Sequence, residues 1–216
     1  QRDGQGKESF RLDVRWLTNF GATSGSLQDS DWISGTTETA LPPNGLGFPA
    51  HPGLDIYSSS NVSMKAMILD ARAAFTTWPS DNWKLGPLCG MLYESFSYEA
   101  SNANQIGYGP YSGYTVYLPG RTLTYRVNYY VPYVGLRTGY AVSRNVGLDL
   151  DLAYSPLAGA EDKDDHLMRH KISSGSTTGT GSLAAVAGFW DIDGRSRVLL
   201  TWPYLRVDTK GDPSQD

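Results

Sequence analysis

Cysteine is all but missing from this sequence: Cys89 stands alone among 216 residues. An internal disulfide is therefore impossible, and so is a Cys-built metal site or scaffold. Long apolar runs are missing too. The longest candidate, Leu183 to Trp190, is strand-sized, far short of the roughly 18 residues that a membrane-crossing helix needs. Charge is sparse, at 19% of residues with a net value of -4 and no basic stretch. Nucleic acid is thereby excluded as a partner. No Gly-x-Ser-x-Gly elbow and no Walker-type phosphate loop occurs. Histidine appears only at 51, 166 and 170. His166 and His170 are four apart, but Leu167 stands where a zinc-protease helix needs Glu. No metal and no cofactor is expected.

What is present is alternation. In Phe10-Arg11-Leu12-Asp13-Val14-Arg15-Trp16 the even positions are apolar and the odd ones charged. Val146-Gly147-Leu148-Asp149-Leu150-Asp151-Leu152 repeats the pattern. Only a strand sends alternate side chains to opposite faces. The sheet thus has one apolar and one polar side. Tyrosine is abundant (14 residues) within an aromatic share of 12%, which suits groups lying at a membrane interface. An antiparallel transmembrane β-barrel, whose strands need only about 10 alternating residues, accommodates these features. A soluble sandwich hiding its apolar side against a second sheet is the competing fold. In the barrel, Leu12, Val14, Trp16, Leu148, Leu150 and Leu152 face outward.

Further strands are predicted over 54–77, 83–98, 115–130, 133–143, 172–189 and 196–207. The segment 64–75 has helical propensity but is read as strand. Short turns at 79–82, 143–145 and 191–194 alternate with long loops at 34–53, 101–113 and 155–171, as at the two ends of an outer-membrane barrel. The count is about seven strands, whereas closed bacterial barrels are generally even-numbered. Residues 1–216 are expected to form a single barrel domain lacking an N-terminal hairpin and a C-terminal strand.

Two acidic groups end predicted strands. In Asp29-Ser30-Asp31-Trp32 the two carboxylates, two residues apart, share a face and continue the odd-numbered polar side. Such a pair repels, which raises one pKa and lets the two hold a proton or a water between them. In Asp162-Lys163-Asp164-Asp165-His166, Asp164 and His166 share a face, the spacing at which a carboxylate orients an imidazole. The parity of Asp149 and Asp151 does not carry through to them, so a bulge or break is required near Pro156 or Gly159. Each group also reads as a plain solvated loop.

Together these segments resemble the omptin family of outer-membrane proteases, which carries Asp-x-Asp-Trp on one extracellular loop and Asp-x-Asp-x-His on a later one. His51-Pro52, the strand Val131-Pro132-Tyr133-Val134-Gly135-Leu136 and the turn Tyr117-Leu118-Pro119-Gly120-Arg121 are similar to further family motifs, in the same order. The resemblance runs from about Trp16 to Arg206. It implies a ten-stranded barrel in the bacterial outer membrane with an active groove facing the cell exterior. The present chain corresponds to the third to ninth strands. It further implies an endopeptidase acting on peptides or proteins beside Lys or Arg. His166, oriented by Asp164, activates a water; Asp29 and Asp31 position that water and stabilise the developing charge; Asp162 helps to bind the basic side chain. Family members need lipopolysaccharide, held by basic residues on the outer wall. Here the stretch 90–96 lacks the expected Arg, and Asn128 stands where another belongs. A non-catalytic barrel of the same descent, an adhesin or structural protein, is the alternative function.

Overall fold

The computed structural model describes residues 10–21, 23–31, 54–167, 171–192, 196–211 and 213–215. Ten strands run through them: β1 (Phe10–Thr18), β2 (Thr23–Asp31), β3 (Ile56–Phe75), β4 (Trp78–Pro79), β5 (Trp83–Gly107), β6 (Thr115–Ala141), β7 (Val146–His166), β8 (Lys171–Asp191), β9 (Arg197–Lys210) and β10 (Pro213–Gln215). All pairings are antiparallel and the strand positions follow one another in chain order, giving one meandering sheet. β1 and β2 pair with successive parts of β3, and β9 and β10 with successive parts of β8. Seven strand positions result. No pairing joins the two outer positions among the described residues, so the barrel-type sheet is open.

Several local expectations change. The segments 115–130 and 133–143 are one strand, β6. Residues 155–166, read as loop, continue β7, and 101–107 continue β5. The Tyr117–Arg121 segment is not a free turn. It lies within β6, where Gly120 takes φ +79° beside an irregular register. Loop-forming residues extend these strands because the ladder on both sides satisfies their backbone groups, and that outweighs weak local preference. The helical propensity of 64–75 loses for the same reason: β3 is paired throughout, against β1 and β2 on one side and β5 on the other.

Alternation decides the faces. Leu12, Val14 and Trp16 are 65%, 65% and 66% exposed, and Leu148 and Leu152 are exposed as well. Leu150, on the same face, is partly covered. Phe10 stacks on Phe75 (5.0 Å between centroids) and Trp83 on Tyr140 (4.7 Å) near the short-turn end. An exposed apolar band of this extent, with aromatics along its border, suits lipid rather than water.

The inner face carries the charges of the alternating strands. Arg137 grips Asp151 with two bonds (2.6 and 2.8 Å) and reaches Asp13 on β1 (3.1 Å). Arg72 bonds the same Asp151 (2.7 Å), and Arg11 meets Asp13 (2.9 Å) and Asp149 (3.4 Å). Tyr133 donates to Asp70 (2.6 Å), which Arg15 approaches at 3.5 Å. The Tyr133 ring fits because Gly90 on β5 has no Cβ; one there would collide with the ring. These pairs join β1 to β6 and β7, which are not its ladder neighbours, so the sheet is curled with its charges inside. Among them, Leu88, Leu92, Val131 and Ala158 join Ala74 and Tyr133 in a small apolar cluster.

β7 changes parity as it rises. Asp149, Asp151 and Ser155 are buried on the inner face, and then Ala158 and Ala160. The register slips by one residue between Ser155 and Ala158 against β8, and over the same stretch against β6. The extra residue therefore lies on β7, beside Pro156. Proline has no N–H to give to a ladder and fits where pairing lapses. This is the break that the spacing of the acidic residues requires.

Arg137 is about one-tenth exposed. Arg137→Leu leaves Asp151 and Asp13 short of a partner, an effect worth about 3–5 kcal/mol for a buried pair. A urea titration of the protein in micelles, followed by tryptophan fluorescence, is expected to show that loss. Arg206→Leu, whose partner Asp208 is solvent-exposed, is expected to leave the midpoint unchanged.

Candidate functional site

The two acidic groups meet at one end of the sheet. β2 ends at Asp31 and β7 at His166, at the end opposite the short turns 80–82 and 142–145. Asp29 pairs with Ser58 across the β2–β3 ladder, and Asp31 pairs with Ile56. Between β1 and β2 the chain gains two residues against β3: Thr18 pairs with Met67, but Thr23 with Met64. An even insertion preserves the facing, so Leu27, Asp29 and Asp31 continue the inward side of Arg11, Asp13 and Arg15.

His166 Nε2 lies 3.0 Å from Asp164 Oδ2, and both side chains are about one-quarter exposed. The other Asp164 oxygen is buried and has no hydrogen-bond partner among the described residues. His166 and Asp29 line the same cleft, together with Ser58, Ser60, Gln105 and Thr122. About 50 Å³ of that cleft is open to solvent, room for a few waters at about 10–15 Å³ each. Asp31, one turn of the pleat higher, is not among the residues lining it.

Asp162 is two residues below Asp164 on the same face. Its carboxylate lies over Gly175 of β8, where a Cβ would collide with Oδ1. Tyr125 stands directly opposite Asp164 on β6 and packs beside Tyr98, with ring centroids 5.9 Å apart. Burial, and then the nearby Asp162, Tyr129, Asp164 and Tyr98, push the Tyr125 phenol above its usual pKa. It remains a neutral donor at the mouth. Inside, the mouth is thus acidic. Outside, the same strands present Lys65, Arg121, Arg126 and Lys163 along a surface groove. The outer wall also holds Asn128, whose side-chain oxygen accepts from Ser95 (2.8 Å) and Tyr93 (3.1 Å).

A base held by a carboxylate, a second carboxylate across a wet cleft, and an acidic seat below it form an arrangement suited to activating water against a cationic substrate. The model of the Omptin family matches residues 5–210. The chain belongs to the Omptin family. Among solved structures, the outer membrane protease OmpT from Escherichia coli matches with a TM-score of 0.69 and 17% identity. The match covers 95% of this chain and 72% of that one. At that identity the likeness is one of fold. No curated protein sequence matches.

Of the omptin-like positions, the structure brings Asp29 and His166 to one cleft, with Asp164 bonded to His166 and with Asp31 and Asp162 further along their strands. Trp32, His51, Pro52 and His170 lie outside the described residues. Sequence reasoning missed Ser58, Gln105, Tyr125 and Gly175. Ser58 sits in an uninformative Ser-Ser-Ser run, and Gly175 in a Gly/Ser/Thr-rich one. Only the register across strands shows what they face.

Gly175→Ala is expected to push Asp162 from its place while the fold persists. The measurement is the Asp162 side-chain carboxyl signal of the ¹³C-aspartate-labelled protein, assigned with Asp162→Asn and expected to shift while the folded band on a semi-native gel is retained.

Proposed function

We propose that this chain is an outer-membrane endopeptidase that hydrolyses peptide bonds next to basic residues. The observation that carries this reading is the cleft shared by Asp29 and His166, with Asp164 bonded to the imidazole. Family membership supports it, and so does the solved relative of the same fold, which is an outer membrane protease. The exposed apolar band supports a lipid setting for the lower part of the sheet, and in this reading the acidic mouth faces the cell exterior.

With its Nε2 proton donated to Asp164, neutral His166 keeps Nδ1 as an acceptor. It takes a proton from a water in the cleft as the water oxygen attacks the scissile carbonyl carbon. The resulting imidazolium is stabilised by Asp164. Asp29 and Asp31 position the attacking water and face the centre where charge develops. The imidazolium then returns its proton to the leaving amine, and the C–N bond breaks. Asp162 attracts the Lys or Arg side chain; in a partly desolvated groove this attraction is several-fold stronger than in open water. Lipopolysaccharide enters as surrounding lipid. The neutral group of Asn128, Ser95 and Tyr93 on the outer wall does not supply the cationic anchor of the family pattern.

His166→Ala is expected to abolish cleavage of a fluorogenic Arg-containing peptide, a fall of about 10²–10⁴-fold, with the folded band on a semi-native gel retained. Asp29→Ala and Asp31→Ala are each expected to lose a comparable factor. Activity should fall on acidification, because a protonated imidazole cannot accept the water's proton. Wild-type rates from all these variants would replace the enzyme by a non-catalytic barrel. For the basic-residue pocket the informative variant is Asp162→Asn. It is expected to slow cleavage of Arg and Lys peptides about tenfold more than of neutral ones; an equal loss on both would assign Asp162 to structure.

A further inference from the structure

The cleft that holds His166 and Asp29 has an apolar wall. Leu27 on β2, Ala100 and Ala103 on β5, and Leu118 and Leu123 on β6 line it. Leu123 stands directly opposite His166 on one side and Ala100 on the other, and Leu118 stands opposite Ala103. The four residues of β5 and β6 therefore form one patch beside the imidazole. Ala100 and Ala103 are buried, and their short side chains keep the floor of the cleft low. Several polar residues of the lining are engaged within the protein. The Ser58 hydroxyl accepts from Gln105 Nε2 at 2.9 Å, and Thr122 Oγ1 donates to the Ala100 carbonyl at 3.2 Å. Apart from Asp29 and His166, no ionisable side chain among the described residues lines the cleft.

β7 separates this patch from the acidic seat. Asp162 lies over Gly175 of β8, whereas the patch lies on the β5 and β6 side of His166. Neighbouring residues of an extended chain send their side chains to opposite sides. A peptide lying over His166 with its basic side chain on the β8 side thus turns the next side chain toward the patch. We infer that Ala100, Ala103, Leu118 and Leu123 seat the substrate side chain across the scissile bond from the basic one, and that this seat selects a short aliphatic residue such as valine. The inference rests on the proposed peptidase site and deepens it. The opening of about 50 Å³ is far below the roughly 300–1,000 Å³ of a pocket for a whole small molecule, so one short side chain is what it admits. A carboxylate there is repelled by Asp29. Lysine is the informative competitor, because Asp29 attracts its ammonium while the patch strips that group of water.

The test uses the protein in micelles and peptides of one sequence carrying Arg-Val, Arg-Gly or Arg-Lys at the centre, with product masses locating the cut. The kcat/KM of the Arg-Val peptide is expected to exceed that of Arg-Gly and of Arg-Lys about tenfold or more. Leu118→Asn removes apolar surface from the seat and Ala103→Leu fills its floor. Each is expected to lower the Val-to-Gly ratio several-fold, and a ratio does not depend on how much of the variant folds. Valine no better than glycine, lysine better than valine, or a cut outside the pair overturns the inference. So does a wild-type ratio in both variants. Should no peptide be cleaved, the peptidase reading falls. The Kd values of the same peptides by fluorescence anisotropy then decide the seat, which stands only if Arg-Val binds about tenfold more tightly than the other two.

Discussion

An extended chain places alternate side chains on opposite faces, and the molecule is organised by where that count is kept and where it is broken. Along β1 and β2 it is kept across an even insertion, so charged residues low in the sheet and carboxylates at its mouth share the inner face. Along β7 it is broken once, beside Pro156. Without that extra residue, Asp162, Asp164 and His166 would face outward if Asp149 and Asp151 faced inward. One strand thus carries two inward acidic groups of opposite parity, one structural and one facing the cleft. A one-residue slip moves every side chain above it to the other face, so the bulge is as necessary to the site as the histidine.

The inner face differs between its two ends. In the lower half nearly every carboxylate has a cation: Asp151 has two arginines, Asp13 two, and Asp149 an arginine and a lysine. At the mouth the cations point outward, and Asp29, Asp162 and Asp164 keep an acidic interior. Compensated charge below holds the curled sheet together across strands that do not pair. Above, Asp29 lines the cleft and Asp164 holds His166. The two ends of the inner face therefore draw on the same residue types at different heights.

Much of this was legible in the amino-acid sequence, because period-2 patterning depends on no distant partner. Phe10–Trp16 and Val146–Leu152 announce strand, face and environment unaided, and the parity conflict between Asp151 and Asp164 announces the bulge. Where strands end was not legible. Residues 101–107 and 155–166 are rich in Gly, Asn and Asp and read as loops, yet pairing on both sides carries them as strand. Nor were Ser58 and Gln105 legible as neighbours of Asp29. Their positions depend on the registers of two ladders, which no single strand encodes.

The geometry of the mouth also explains why chemistry there need not conflict with stability. Asp29, Asp164 and His166 are side chains on strand ends, and the backbone groups beneath them are already paired. Removing a partly exposed side chain leaves those pairs intact, whereas removing Arg137 takes one of two cationic partners from each of two partly buried carboxylates. The ion pairs lower in the sheet hold its strands together without using any side chain of the mouth.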